Sequence, residues 1–359
     1  MTMKWSVEEF DASAWDALND AAGGPALNSG HPALHSINVQ LLLKHFGTGK
    51  ESVWVCRRGG SPVAMVVLTG RLVANAWHPD NQTVALWVQR DDVDFADLAR
   101  LLARRGLMLS VTHIDPDMLK RPDGHEPVEC IQTVNYIETA RTVVSGSFED
   151  YWQSRRDSVK ANDRKFRNRI KTIAVRMEAV TDPAAIGAAV DAFGILESAG
   201  WKGKNGSALH PDNPQGAYYR ELFTAYAANG WASVWECRYE DKLVASNLLI
   251  HRDGTVLSLK ITYDESQKKS SPSLLLRHET FKQIWPHTNV IEYYGEEKGW
   301  HGWADDQRRM YHLNAFRAPW VQALRAYVRR RQQQAALSTP VEQLVLAAAL
   351  FPDVVTSLF

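Results

Sequence analysis

Lys268-Lys269-Ser270-Ser271-Pro272-Ser273 brings two cations, three hydroxyls and a proline into one short turn. These residue types suit close approach of an anion. Where such a turn opens a helix, free backbone N–H groups and the helix dipole converge on the same spot. A polar connector between strand and helix has a similar composition, and the local residues admit both readings. Three other stretches carry chemistry. Arg155, Arg156, Lys160, Arg164, Lys165, Arg167, Arg169 and Lys171 form a basic run within Phe148–Lys171. It reads either as a solvated helix face or as contact with an anionic substrate such as a phosphorylated saccharide, a nucleotide or RNA. Trp201, Lys202, Gly203, Lys204 and Gly206 make a glycine-rich loop suited to one lip of a site. Glu296 and Glu297 follow the apolar strand NVIEYY. They read as cleft carboxylates at the carboxyl end of a strand, or as ordinary turn residues.

The elements that position these residues can be read from periodicity. Leu257, Leu259, Ile261 and Tyr263 alternate as in a half-buried strand, and Leu274, Leu275, Leu276, His278, Phe281 and Ile284 form a helical stripe after the turn. The basic run is expected to be a helix with Trp152, Val159, Phe166 and Ile170 inward. Earlier in the chain, residues 1–20 hold a helix with Asp11 or Ser13 as its cap, and a second helix spans Ile37–Phe46. A hairpin follows, Ser52–Arg57 and Val63–Leu72 around RRGGSP. Then come a strand at Thr83–Gln89, the helix DFADLARLLARRG and a strand at Leu107–Ile114. The tail from Trp320 is a basic helix followed by a short apolar one, with Thr339, Pro340 and Glu342 as a capping box. That helix could dock on the body or mediate self-association as a homodimer.

The chain repeats itself at an offset of 181 residues. SVWVCRRGGSPVAMVVL from Ser52 and SVWECRYEDKLVASNLL from Ser233 share eight of 17 positions, and a helix precedes each. Each continues as strand, helix, strand, so two copies of one α/β unit are expected. The copies differ at the turn. Where the second has Lys268 and Lys269, the first has QRDDVD with Asp91, Asp92 and Asp94, which suit a helix N-terminus but repel a pyrophosphate. The second copy is therefore the one equipped for a phosphorylated cofactor, and the first reads as a scaffold.

Composition narrows the classes. With 359 residues and 45% hydrophobic content the chain can build two cores, and 41 basic residues balance 41 acidic ones. That balance argues against bulk electrostatic binding of nucleic acid. Three cysteines without CxxC spacing read as reduced thiols of a cytoplasmic protein, and neither CxxC nor HExxH spacing supports a metal site. Acidic residues stand where a signal peptide would be apolar, and no run is long enough for a membrane span. The 13 tryptophans are numerous enough that several are expected to line a groove.

FEDYWQSRRDSVKANDRKFRNRIK, LESAGWKGKNGSAL, WECRYEDKLVASNLLI and LKITYDESQKKSSPSLLL together resemble the tandem GNAT-fold acyltransferases. These are the CelD-like and BioF2-like acetyltransferases and, more distantly, the Fem-type aminoacyl transferases; the resemblance covers residues 25–318. It implies an α/β (α+β) fold of two tandem GNAT-like domains, each a mixed sheet flanked by helices. The expected division is 1–145 as a scaffold, 146–325 as the cofactor-binding domain and 326–359 as a helical tail. It further implies acetyl-CoA or another acyl-CoA as co-substrate, its pyrophosphate on Lys268, Lys269, Ser270, Ser271 and Ser273 and its pantetheine arm beside the strand ending at Tyr263. A small-molecule or saccharide acceptor would present an amine or hydroxyl between the domains near Trp201, Lys202 and Arg155. Transfer would be direct, with Glu296 or Glu297 as base, Tyr263 as a polar partner and backbone N–H groups holding the oxyanion. The Fem-like branch implies an aminoacyl-tRNA donor instead, and a decayed site implies a non-catalytic module of polysaccharide biosynthesis. Two departures stand out: Trp300 occupies the place of a lysine common in the group's last motif, and Ser271-Pro272-Ser273 replaces glycines in the turn.

Overall fold

The computed structural model describes residues 2–21, 30–79, 84–116, 129–293 and 302–337. Its first half runs β1 (Met3–Glu8), α1 (Ala12–Ala21), α2 (Ser36–Phe46), β2 (Ser52–Arg58), β3 (Ser61–Thr69), β4 (Val73–Ala76), β5 (Trp87–Gln89), α3 (Phe95–Ala103), β6 (Met108–Ile114) and β7 (Ile131–Val143). Two helices, α4 (Phe148–Ser154) and α5 (Asp157–Arg169), lead into the second half. There follow β8 (Val175–Val180), α6 (Ile186–Ala199), α7 (Trp201–Lys204), α8 (Pro214–Ala227), β9 (Ala232–Tyr239), β10 (Lys242–Arg252), β11 (Thr255–Tyr263), α9 (Pro272–Ile284), β12 (Val290–Tyr293), β13 (Asp306–Phe316) and α10 (Pro319–Leu337). Asp11 caps α1 as expected, accepting the Ala14 N–H at 3.0 Å, but the chain opens with a strand the sequence reading missed. The expected strand at Thr83–Gln89 is shorter, and β4 and β7 were likewise missed. The tail's capping box lies outside the described residues. No described helix is long and apolar enough to cross a membrane.

The repeat is carried into three dimensions. In the β2–β3 hairpin Cys56 faces Ala64 and Arg57 faces Pro62, so Val63 is an extra residue; in β9–β10 Cys237 faces Ala245 and Arg238 faces Leu243, leaving Val244 extra. Trp54 Nε1 donates to Ser52 Oγ at 3.0 Å, and Trp235 Nε1 to Ser233 Oγ at 3.2 Å. Arg57 reaches the Gly60 carbonyl at 2.8 Å and Arg238 the Asp241 carbonyl at 3.0 Å. Identical residues hold identical bulged hairpins. Burial pushes the Cys56 and Cys237 thiols up to about 11 and about 12, so both are inert packing groups.

All the described strands join one sheet, ordered β1-β2-β3-β4-β6-β13-β7-β12-β11-β10-β9-β8, with β5 pairing β3 to one side. The parallel pairs β4–β6 and β11–β12 are equivalent in the two copies. Between them, β13 pairs with β6 and β7 pairs with β12, so each half is extended by a strand from the other half of the chain. One core, beneath α3, contains Trp5, Trp87 and Leu98; another, beneath α4 and α9, contains Tyr151, Phe281, Trp285 and Trp303. The largest is shared, with Trp15 and Leu42 from the first half packing with Phe193, Leu222 and Phe223 from the second. Tyr218 and Tyr226 reinforce it, donating across the halves to Asn38 Oδ1 at 2.6 Å and the Pro32 carbonyl at 2.8 Å.

Because this core is common to both halves, truncating Phe223 to Ala should cost about 3–5 kcal/mol. Urea denaturation should still show one transition, with far-UV circular dichroism and tryptophan fluorescence superimposing before and after the substitution.

Candidate active site on the strand–turn–helix unit

Strand β11 does not keep the alternation its sequence suggests. Leu249 faces Ser258 but Leu248 faces Lys260, so Leu259 is inserted as a β-bulge. The bulge resets the faces: Leu257 lies in the shared core, whereas Tyr263 packs against the cluster beneath α9. A bulge also takes a backbone amide out of the ladder and turns it outward. On the other edge, β12 pairs with β11 from Thr255 only to Ser258, while β11 runs on to Tyr263. Among the described residues, β11 beyond Ser258 is therefore open on the β12 side.

The turn that follows leaves its helix start uncapped. Asp264 Oδ1 accepts the Ser266 N–H at 2.9 Å and opens a short 3-10 turn at Glu265–Gln267. Ser270 is buried, accepts from the Tyr239 hydroxyl at 3.1 Å and donates to the Gln267 carbonyl at 2.9 Å. Ser271 sits in the left-handed region at φ 45°, a conformation costing a non-glycine residue roughly 1 kcal/mol. Its hydroxyl turns back to the Lys268 carbonyl at 3.2 Å instead of capping α9, and Pro272 occupies the first turn with no N–H to satisfy. Lys268 and Lys269 are exposed, and Arg169 of α5 donates to the Lys269 carbonyl. The five residues expected to hold a pyrophosphate are thus together. Two of the three hydroxyls are already engaged, which leaves the Ser273 hydroxyl, backbone amides and ammonium groups as the donors.

The first copy answers differently at the same register. Gln89 faces Ala64 as Tyr263 faces Ala245, so the turn after Gln89 is the counterpart of the turn after Tyr263. There Asp94 caps α3 at 3.0 Å and Asp92 pairs with Arg58 and Arg90. That helix start is filled by the chain's own carboxylates.

On the α6–α8 face of β11 lies a cluster the sequence reading did not single out. Glu197, only 1% exposed, accepts from Lys202 Nζ at 2.5 Å and from the Leu209 N–H at 2.8 Å, with Lys260 Nζ at 3.9 Å. Burial lowers the Lys260 pKa, Glu197 opposes that shift and Lys202 adds to it. The available signal was one cation inside the apolar strand LSLKITY. Trp201 is 58% exposed, and its N–H donates to Glu265 Oε1 at 2.8 Å, which ties the α7 loop to the turn before α9. A Cβ on Gly203 would lie 1.9 Å from the Ser198 carbonyl oxygen, so the compact loop requires glycine there.

Other expected residues fall elsewhere. Arg155 is committed to Asp305, to the Trp303 carbonyl at 3.2 Å and to the Tyr151 ring at 4.3 Å, a contact joining α4 to the start of β13 and not the Trp201–Lys202 loop. Glu296, Glu297 and Trp300 lie outside the described residues. The carboxylate described on β12 is Glu292, buried against Arg308 at 3.1 Å and His31 at 3.5 Å. The basic run forms two helices, broken at Arg155–Arg156. Val159 and Ile170 pack inward as expected and Phe166 is half-buried, while Arg164, Lys165, Arg169 and Lys171 are exposed. Of the tryptophans, Trp5, Trp15, Trp87, Trp235, Trp285 and Trp303 are core residues; Trp201 and Trp320 are exposed.

His278 of α9 stacks on Trp152 at 4.2 Å, and burial lowers its pKa to about 4, with the nearby charges of Asp163, Arg167, Glu279 and Lys282 acting in both directions. The native state therefore resists protonation that the unfolded chain accepts. Stability from this group should be full above pH 6.5 and fall towards pH 4, by about 3 kcal/mol at most. The difference between wild type and His278→Gln in denaturation midpoints across that window measures it.

Residues 153–294 match the family model described as an acetyltransferase (GNAT) domain. Among solved structures, FemX superposes with a TM-score of 0.56 at 10% identity, covering 89% of this chain and 99% of that one. A conserved protein of unknown function from Bacteroides thetaiotaomicron VPI-5482 gives 0.55 at 11%, covering 86% and 99%. L-PGS from Bacillus licheniformis gives 0.50 at 13%, covering 86% and 93%. At such identities these structures speak to the fold alone. No curated protein matches the chain.

Proposed function

We propose that the chain, whose residues 153–294 match an acetyltransferase (GNAT) domain, is an acyltransferase that moves an acetyl group from a CoA thioester to an amine or hydroxyl of a small-molecule or saccharide acceptor. The observation that carries this reading is the combination, on one strand–turn–helix unit, of a bulge at Leu259 and an uncapped helix start at Ser271–Pro272. An acyl-CoA fits that unit along its length. The Ser273 amide, which has no backbone partner among the described residues, and the exposed Lys268 and Lys269 suit a pyrophosphate. The edge of β11 beyond Ser258, open among the described residues, suits the amides of a pantetheine arm, which would add to the sheet as an extended segment does. The outward amide at the bulge suits the acyl carbonyl oxygen.

The bound thioester supplies an acyl group activated for transfer. The protein's part is to orient the acceptor, take its proton and shield the site. Trp201 and Lys202 form the acceptor lip, held to the cofactor turn through Glu265. Glu296 or Glu297, which follow β12 in the chain, takes the acceptor's proton, and Tyr263 is the polar partner on β11. Arg155 acts through α4 and the start of β13, not on the acceptor. The first half is a scaffold, because its equivalent helix start is capped by Asp94. A second reading, with an aminoacyl-tRNA as donor, is favoured by the exposed Arg164, Lys165, Arg169 and Lys171 on and just after α5.

Calorimetry with acetyl-CoA should give one site per chain, and Lys268→Glu/Lys269→Glu should weaken it at least tenfold. Binding of tRNA without acetyl-CoA would move the assignment to the second reading, and binding of neither would end both. In a thiol-release assay over amine and amino-sugar acceptors, Glu296→Gln/Glu297→Gln should lower kcat by about 10²–10⁴ with acetyl-CoA affinity kept.

A further inference from the structure

A cavity of about 830 Å³ opens at the C-terminal end of α3, with Lys50, Arg71, Arg104 and Arg105 around the Trp54 indole. It lies at the opposite end of α3 from the Asp94 cap, and it shares no residue with the strand–turn–helix unit of the second half. All four cations are exposed, and among the described residues none has an ion-pair partner. The adjoining carboxylates are turned to other groups, Glu8 to Arg57 at 2.7 Å and Glu51 to Thr48 at 2.9 Å. In a chain of zero formal net charge this concentration of unpaired positive charge is anomalous.

Arg104 and Arg105 alone would be explained by the dipole at the end of α3. Lys50 and Arg71 would not, since they arrive from the β2 approach and the β3–β4 turn. The second copy shows what the same positions look like when they are structural. Trp235, the counterpart of Trp54, is buried in a core, and Arg252, 181 residues after Arg71, pairs with Asp20 at 2.7 Å. In the first copy the indole faces a cavity and Arg71 has no ion-pair partner among the described residues. The Trp54 ring is also held ready, its Nε1 fixed to Ser52 Oγ at 3.0 Å and its ring 6.0 Å from the Arg105 guanidinium.

We propose that this cavity binds a phosphorylated ring compound of the nucleoside diphosphate class, its phosphates among Lys50, Arg71, Arg104 and Arg105 and its ring against Trp54. Guanidinium groups present paired donors that match phosphate oxygens, and a diphosphate balances most of the local charge. An indole accepts any flat base, so the site selects for phosphate more than for base identity. The volume falls in the range of small-molecule sites. Val7, 58% exposed, lines the cavity as well and supplies an apolar contact for a sugar or base edge.

The test uses UDP on the full chain carrying Lys268→Glu/Lys269→Glu, so that binding at the turn before α9 cannot contribute. Calorimetry should show saturable 1:1 binding, weakened at least tenfold when Arg71→Glu/Arg105→Glu is added, and weakened again between 50 and 200 mM salt. Uridine should bind far more weakly than UDP, and Trp54→Leu should lose more affinity than Trp54→Phe. The substituted arginines are exposed, so circular dichroism melts should be unchanged. UDP affinity that is indifferent to Arg71→Glu/Arg105→Glu overturns the proposal, as does absence of heat from a folded protein. Sedimentation with phosphatidylglycerol vesicles that UDP does not compete away would also overturn it, assigning the patch to a membrane surface. Each result stands apart from acetyl-CoA binding, which is read on the chain with Lys268 and Lys269 intact.

Discussion

Strands β7 and β13 each complete a half of the molecule to which they are not neighbours in sequence. A sheet edge presents a row of unpaired N–H and C=O groups, and inside a protein those groups must find partners. Here the edge of β6 is covered by β13 and the edge of β12 by β7, and the two inserted strands cover one another. The result is a continuous ladder that fixes the first half against the second. The same seam holds buried charge: Arg308 of β13 meets Glu292 of β12 at 3.1 Å and also pairs with Asp115. Burying such a group costs several kcal/mol unless it is paired, so this network disfavours any other register of the exchanged strands.

Everything at the candidate site rests on that alignment. Among the described residues β12 covers β11 only from Thr255 to Ser258, and β12 is itself held in place by β7. The shared core brings α2 against α8, and α6 and α8 carry Glu197 and Tyr219 to Lys260 on the β11 face, with Lys202 of α7 joining Glu197. A local unit of strand, turn and helix is thereby braced from both halves, although the residues suited to the cofactor come from the second alone.

The two copies show how a duplicated unit diverges. The hairpins kept their bulge, their tryptophan–serine hydrogen bond and their arginine–carbonyl contact, because these close the hairpin itself. The turns were free to differ. A carboxylate at the start of α3 satisfies the helix internally, whereas serine in the left-handed region followed by proline leaves the start of α9 open. The opposite end of the unit diverged the other way, with Trp235 buried in the second copy and Trp54 open among cations in the first. Each copy thus has one sealed end and one open end.

The duplication, the hairpins, the helix stripes and the contrast between Asp91–Asp94 and Lys268–Lys269 were legible in the chain itself, since each depends on residues close in sequence or on direct self-similarity. The WKG loop was also visible from its composition. The rest was decided by contacts distant in sequence. Strand exchange leaves no local trace, because β7 looks the same whichever edge it joins. The bulge at Leu259 is invisible in an apolar alternation, since the slip is set by pairing with Leu248 and Leu249. Arg155 read as an acceptor contact within a basic run and is tied to Asp305, and Glu197, which nothing in its local sequence marks, is buried between two lysines. Sequence determined which groups are present and what local shape they take; tertiary structure decided which charges are neutralised, because pairing and burial depend on neighbours that only the fold supplies.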